Sequence, residues 1–240
     1  MSYVNISGYK FTQLDNLEQL QQDLKANCLS LSLKGSILIS TEGINIFLSG
    51  QRQAILEFYA YLATLNLPTI EFKESFSDYP PFKRMKVLIK AEIITMGVPW
   101  VDPANHSAPA VSAEEFKQWL DEKKPLVILD TRNQYEIEIG KFKTAFDLSI
   151  DHFREFPEAI KNLPEEFKNK TIVTYCTGGI RCEKAAPYLI AQGFNNVYQL
   201  EGGILKYLEK CDGTHYEGDC FVFDDRVALN AKLQESKELV

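Results

Sequence analysis

No two cysteines in this chain stand two residues apart, so the paired-thiol spacing of a structural zinc site is missing. Histidine is scarce too. His106, His152 and His215 are scattered and form no two-histidine-one-carboxylate set. There is no glycine-rich dinucleotide fingerprint, no internal repeat and no low-complexity tract. No apolar run approaches the roughly 18 residues that a membrane span needs. The opening MSYVNISGYKF has no basic segment leading into an apolar one, which argues against a secretory signal. The location expected from these absences is the cytoplasm, with no membrane partner. Five cysteines, an odd number at irregular spacing, do not make a disulfide framework. In a reducing compartment each is expected to be buried, catalytic or metal-bound. Cys211, Cys220 and His215 offer three ligands without a fourth, so packing and loop roles are expected there, and no metal site. An excess of positive charge is also lacking. The 240 residues carry 26 Lys+Arg against 33 Asp+Glu, net −7. That total argues against non-specific wrapping of nucleic acid, yet leaves room for a local basic patch.

What is present is an ordinary globular composition, 45% hydrophobic and 25% charged, long enough for two domains. The charge divides unevenly. Residues 1–100 carry nine cations and nine anions, and residues 101–240 carry 17 and 24. Residues 1–95 predict a small α/β unit. VNISGYKF is strand-like, and Leu14, Leu17, Leu20 and Leu24 recur at helical spacing behind Asp15 as N-cap. KGSILIS and INIFLSG are β-rich runs separated by TEG, where Gly43 and Asn45 read as turn chemistry. QRQAILEFYAYLATLNL predicts a second helix, and TIEFKESF and MKVLIKAEII further strands. The order β-α-β-β-α-β with one extra strand predicts a ferredoxin-like split βαβ domain. Residues 96–112, with three prolines and no period, read as a linker.

From 113 to 212 the pattern changes. Ser112 precedes Glu115 by three residues, a capping box opening a helix. PLVILDTR and KTIVTYCTGGIR are short apolar runs that end in polar residues, as buried parallel strands do. Helices alternate with them, which predicts a doubly wound parallel sheet with its function at the carboxyl ends of the strands. Residues 213–240 form a tail. In it GDCFVFDDRVAL alternates like a strand, held by ion pairs of Asp224, Asp225 and Arg226.

The chemistry centres on CTGGIR. Cys176 closes an apolar strand. Thr177, Gly178 and Gly179 permit a tight turn with N–H groups facing inward, and the turn feeds a helix N-terminus, which favours negative charge. Ile180 completes the loop and Arg181 adds a fixed cation. Together these lower the thiol pKa and make Cys176 a thiolate nucleophile. Cysteine phosphatases place five residues between the cysteine and the arginine. Here there are four, and the tighter cradle suits a single extra sulfur, a persulfide. Asp130 and Arg132, at the end of the neighbouring strand, are expected to support the site through an ion pair that ties loops together, with Glu136 a further partner. Cys182 follows Arg181 directly at a helix start, where adjacent residues point apart, so no redox role is expected of it.

CTGGIR at the end of a buried strand resembles the active-site loop of the rhodanese family. LDTRNQYEIEIGKFKTAF is similar to that family's D-x-R…E…G…G-A pattern, with Lys143-Thr144 in place of its second glycine. A narrower resemblance reaches over residues 3 to 229. KGSILISTEGIN, PFKRMKVLIKAEIITMG, CTGGIRCEKA, VYQLEGGILKYLE and GDCFVFDDRVAL resemble, in order, the bacterial tRNA uridine hydroxylases that contain a rhodanese domain. The resemblance implies a rhodanese-like second domain and oxygen-dependent conversion of uridine 34 of tRNA to 5-hydroxyuridine. It also implies a persulfide-forming cysteine at Cys176, no metal or flavin, and no cofactor beyond molecular oxygen and an unidentified electron donor. Longer members carry a cysteine-containing extension; this chain ends in AKLQESKELV, and that extension's function is expected to be absent. The tRNA partner points to FKRMK, where Lys83, Arg84 and Lys86 form the densest basic cluster and Phe82 could stack on an unpaired base. A solvated strand edge guarded by lysines would look the same. A sulfurtransferase moving sulfur from a thiosulfate-type donor through Cys176 to a thiol is the alternative reading, since the loop serves both chemistries.

Overall fold

The computed structural model describes residues 2–237, and the last three residues of the predicted tail lie outside it. The chain divides into two compact units. The first holds the residues up to Ile94 together with Asp224–Arg226; the second runs from Thr95 to Phe223 and resumes at Val227.

The first unit runs β1 (Tyr3–Phe11), α1 (Leu17–Ser30), β2 (Lys34–Ser40), β3 (Gly43–Gly50), α2 (Arg52–Ala63), β4 (Lys73–Ser77) and β5 (Met85–Ile89). Its sheet has the order β4-β1-β3-β2-β5. β1 is antiparallel to β3 and β4, β2 is antiparallel to β3, and β5 adds in parallel to β2 as an edge. This is the split βαβ arrangement, with the extra strand at one edge. Period-2 alternation sends Ile37, Ile39, Ile44, Ile46 and Leu48 into one core with Leu24, Cys28, Ile55 and Phe58 of the helices. Two local expectations change. The cap of α1 is Asn16, not Asp15; its left-handed backbone (φ 51°) turns the chain into the helix without a side-chain cap. The strand expected in TIEFKESF begins only at Lys73, because pairing with β1 starts at Ser7↔Lys73.

The second unit runs β6 (Ala110–Val111), α3 (Ala113–Asp121), β7 (Leu126–Asp130), α4 (Gln134–Ile137), β8 (Gly140–Phe142), β9 (Phe146–Asp147) and α5 (Phe156–Ala159). It continues through β10 (Thr171–Tyr175), α6 (Ile180–Ala191), β11 (Asn196–Leu200), α7 (Gly203–Cys211), β12 (Tyr216–Gly218), β13 (Cys220–Phe221) and β14 (Ala228–Leu229). The five-stranded sheet β6-β11-β10-β7-β9 is parallel throughout. Ser112 caps α3, accepting the Glu115 N–H at 3.1 Å. Phe116 of α3 and Tyr207 and Leu208 of α7 share a core with Val173 and Tyr175 of β10. Strand alternation turns Ile172 and Thr174 the other way, and α6 packs on β10 and β11. Cys211 and Cys220 are buried in the α3/α7 core, while His215 pairs with Asp121 at 2.7 Å.

Two irregular stretches acquire structure through distant partners. Ala110 and Val111, inside the expected linker, pair with Gln199 and Leu200 as β6. The tail is not one strand. β13 and β14 form a hairpin, and the turn between them is held by Arg226, which bonds Asp224 at 2.6 Å and the Ser75 hydroxyl at 2.8 Å.

Candidate active site

Parallel pairing of β10 with β7 sets Tyr175 opposite Asp130, so the next residues, Cys176 and Thr131, leave the sheet side by side at its carboxyl edge. Gly179 then takes φ 99° as the N-cap of α6, a backbone that L side chains rarely adopt. That turn swings the Gly179 N–H onto the Cys176 Sγ at 3.1 Å. The outward carbonyls are held from the far side. Cys176 O accepts from Ile204 N–H at 2.9 Å and Thr177 O from Leu205 N–H at 3.0 Å, both at the start of α7. A Cβ on Gly203 would lie 2.4 Å from Cys176 O, so the contact requires glycine. With its carbonyls drawn outward, the loop turns N–H groups toward the sulfur.

Cys176 is 1% exposed. Burial alone pushes its thiol up. A hydrogen bond with the Cys182 thiol, the Arg181 guanidinium and the N–H groups of Arg181 and Gly179 outweigh burial and bring the pKa down to about 6. Cys182 is held well above its ordinary value by burial and by the neighbouring Cys176, so it keeps its proton and donates it. The expectation that Cys182 points away from the site is therefore corrected: one turn of α6 brings it back beneath the loop, and its sulfur lies 3.8 Å from the Thr131 hydroxyl.

Arg181 is 5% exposed, and Glu136 holds its Nη2 at 2.8 and 3.0 Å. Burial works against its charge, while Glu136 and Cys176 more than restore it. Glu136 also accepts the Asn133 N–H at 3.1 Å and the Thr177 hydroxyl at 3.5 Å, tying α4 to the loop. The Nη1 of Arg181 is buried without a partner, and the guanidinium carbon lies 5.7 Å from the Phe223 ring centroid.

Asp130 and Arg132 are fully buried and pair at 2.7 Å. Tyr175 donates to Asp130, and Arg132 donates to Gly140 O at 2.7 Å. The pair braces the base of the site. The carboxylate of Glu136 bonds Arg181 rather than this pair, contrary to the sequence expectation. Of the glycines, Gly179 alone makes the left-handed turn of the loop, whereas a Cβ on Gly178 would meet nothing within 4 Å. Ile180 is buried as the first residue of α6. Gly203 escaped the sequence reading, and Cys182 was considered but placed away from the site. The LEGGI pair directly after a strand was the available signal for the first.

The basic cluster lies on the first unit. Lys83 and Arg84 are exposed just before the edge strand β5, Lys86 is exposed within it, and Phe82 is half-buried. None of the three cations forms an ion pair among the described residues. Gly43 and Asn45, expected as turn chemistry, instead lie in β3, where Asn45 pairs with Tyr9 and Leu38, is buried and donates to Ile93 O at 3.3 Å.

The comparisons divide the chain in the same way as its folds. A family model for the UPF0176 acylphosphatase like domain matches residues 3–93, and one for the rhodanese-like domain matches residues 112–210. Proteins named tRNA uridine(34) hydroxylase match almost end to end. The one from Cupriavidus metallidurans is 50% identical over 240 residues, covering 98% of this chain and 85% of its own length. The one from Burkholderia lata is 49% identical over 249 residues, covering 100% and 88%. The chain belongs to this family. Among solved structures, the rhodanese-like domain of an Anabaena protein is 27% identical over 46% of this chain and 80% of its own, with a TM-score of 0.38. In this chain CTGGIR lies within the rhodanese-like match, and the match to the UPF0176 acylphosphatase like domain precedes it. Among the described residues no helix is long and apolar enough to cross a membrane.

Proposed function

We infer that this protein hydroxylates C5 of uridine 34 in tRNA, with Cys176 as the nucleophile and the cytoplasm as its place of work. The observation that carries the reading is near full-length identity of about one half to proteins named for that reaction. The site supplies a matching chemistry, a buried thiol with a pKa of about 6 that is ionised at neutral pH.

The thiolate adds to C6 of uracil, forming a C–S bond and moving the C5–C6 electron pair onto C5 and the O4 enolate. The electron-rich C5 takes one oxygen atom from O2. The other leaves as water, with two electrons and two protons supplied by a thiol reductant that becomes a disulfide. Loss of the C5 proton then expels the thiolate from C6. The balance is uridine, O2 and two thiols to 5-hydroxyuridine, water and one disulfide. Arg181 and the loop N–H groups hold the sulfur as an anion before addition and after expulsion. The cationic residues Lys83, Arg84 and Lys86, with Phe82, are the proposed tRNA contact.

The test is nucleoside mass spectrometry on unmodified tRNA incubated with protein, air and dithiothreitol. Gain of one oxygen at uridine 34, lost in Cys176→Ala while tRNA binding stays, is the expected result. Equal product from Cys176→Ala would remove the cysteine from the mechanism. Thiocyanate release from thiosulfate and cyanide, with no oxygenated nucleoside, would favour sulfur transfer instead.

A further inference from the structure

The Cys182 thiol, fully buried beneath the loop, takes part in the chemistry above only through its hydrogen bond to Cys176. Its placement is nonetheless specific. Gly179 ties both cysteines to one turn. Its N–H meets the Cys176 Sγ at 3.1 Å, and its carbonyl accepts the Cys182 N–H at 3.0 Å. The Cys182 Sγ lies 3.8 Å from the Thr131 hydroxyl, which in turn donates at 2.9 Å to the carbonyl of Tyr175, the residue before Cys176. Strand end and helix start thus bring the two sulfurs into hydrogen-bond contact. Cys220, which also feels the charge of Cys176, turns its thiol to Phe221 O at 3.7 Å instead. The ordinary fate of a buried cysteine is to fill space as a small apolar side chain. Here two thiols of opposite tendency touch, since Cys176 gives up its proton and Cys182 keeps one. The thiolate is the form that peroxides oxidise. Its neighbour is placed to react with what oxidation leaves.

We propose that Cys182 is the resolving thiol of Cys176, so that oxidation of the nucleophile by a hydroperoxide ends in a Cys176–Cys182 disulfide that external thiols reopen. In the first step the Cys176 sulfur attacks one oxygen of hydrogen peroxide. The O–O bond breaks, and the other oxygen leaves as water with a proton from solvent. Cys176 is then a sulfenic acid. In the second step the Cys182 sulfur attacks the Cys176 sulfur. The S–O bond breaks, and hydroxide leaves as water with the Cys182 proton. Two thiols and one peroxide become one disulfide and two waters. The first step also prepares the second. Burial and the Cys176 anion together hold the proton on Cys182. A sulfenic acid is neutral, so the anion's share is withdrawn, while the Thr174 and Thr131 hydroxyls still favour the Cys182 thiolate. A thiol already in contact outruns a second peroxide arriving from solution. The disulfide therefore spares Cys176 from the irreversible sulfinic acid, and it withholds the thiolate until a reductant returns it.

The experiment needs no RNA, so its result stands apart from the hydroxylation reading. Full-length reduced protein, freed of reductant, is treated with a small excess of hydrogen peroxide, blocked with iodoacetamide and mapped by peptide mass spectrometry. Wild type should lose two hydrogens and yield a peptide pair joined through Cys176 and Cys182. Alkylation of Cys176 should disappear with it, and dithiothreitol should return that alkylation in full. Cys220→Ser should form the same bond. In Cys182→Ser, Cys176 should instead gain two oxygens as the sulfinic acid, and dithiothreitol should restore little. A sulfenic or sulfinic acid that persists on Cys176 in wild type would overturn the proposal. So would a bond from Cys176 to Cys220, or recovery in Cys182→Ser equal to that of wild type. The wild-type map decides the matter even where a variant misfolds.

Discussion

Cys28 and Cys220 show what burial does to a thiol in this protein: both are fully covered and both are pushed up to about 12. Cys176 is covered to the same degree and moves the other way, to about 6, because its sulfur is met by donors and a cation. Iodoacetamide should therefore label Cys176 first, at a rate that is flat above about pH 6 and falls roughly tenfold per unit below it as the thiolate takes a proton. A midpoint near the ordinary thiol value of 9.0 would show that the loop does not stabilise the anion. Cys182→Ala removes a donor and should move that midpoint upward. Cys182→Ser, which keeps one, should move it less. Glu136→Gln strips a buried guanidinium of its counter-charge, and denaturant unfolding should show a loss of about 3–5 kcal/mol. An unchanged unfolding midpoint would mean that Arg181 finds another partner.

The loop is shaped by an element that follows it in the chain. Since α7 supplies the N–H groups that hold the Cys176 and Thr177 carbonyls, a methyl on Gly203 must push the loop away. Gly203→Ala should lower Cys176 alkylation and product formation together, whereas Gly178→Ala, facing open space, should leave the fold and the loop backbone in place. Equal loss in both variants would contradict this division. The same contrast explains what the sequence could reveal. Cys176 at a strand end before a Gly-Gly turn and an arginine is a local pattern, and so are the period-2 runs that became β2 and β3. The Gly203 contact, the Glu136–Arg181 pair and the β6 pairing with β11 join residues tens of positions apart, and no local period marks them. The Asn16 cap was hidden for a different reason: Asp15 and Asn16 are both good caps by residue type, and residue type alone does not choose between neighbours.

At the scale of the molecule, a chain of net charge −7 must bind a polyanion through a local surface. Lys83, Arg84 and Lys86, without an ion pair among the described residues, lie just before and within the edge strand β5 of the first sheet, where they also deter strand addition. If they contact phosphates, replacing all three with alanine should weaken tRNA binding and reduce the slope of log affinity against log salt by about 2–3. An unchanged slope would return them to edge protection alone. The central claim is that Cys176 directs one atom of molecular oxygen to C5 of uridine 34. It is tested most directly by running the reaction with unmodified tRNA and a thiol reductant under ¹⁸O₂ in ordinary water, with wild type and Cys176→Ala side by side. The account expects the heavy isotope in the 5-hydroxyuridine from wild type and no product from the variant. Oxygen drawn from water, or product from the variant, would contradict it.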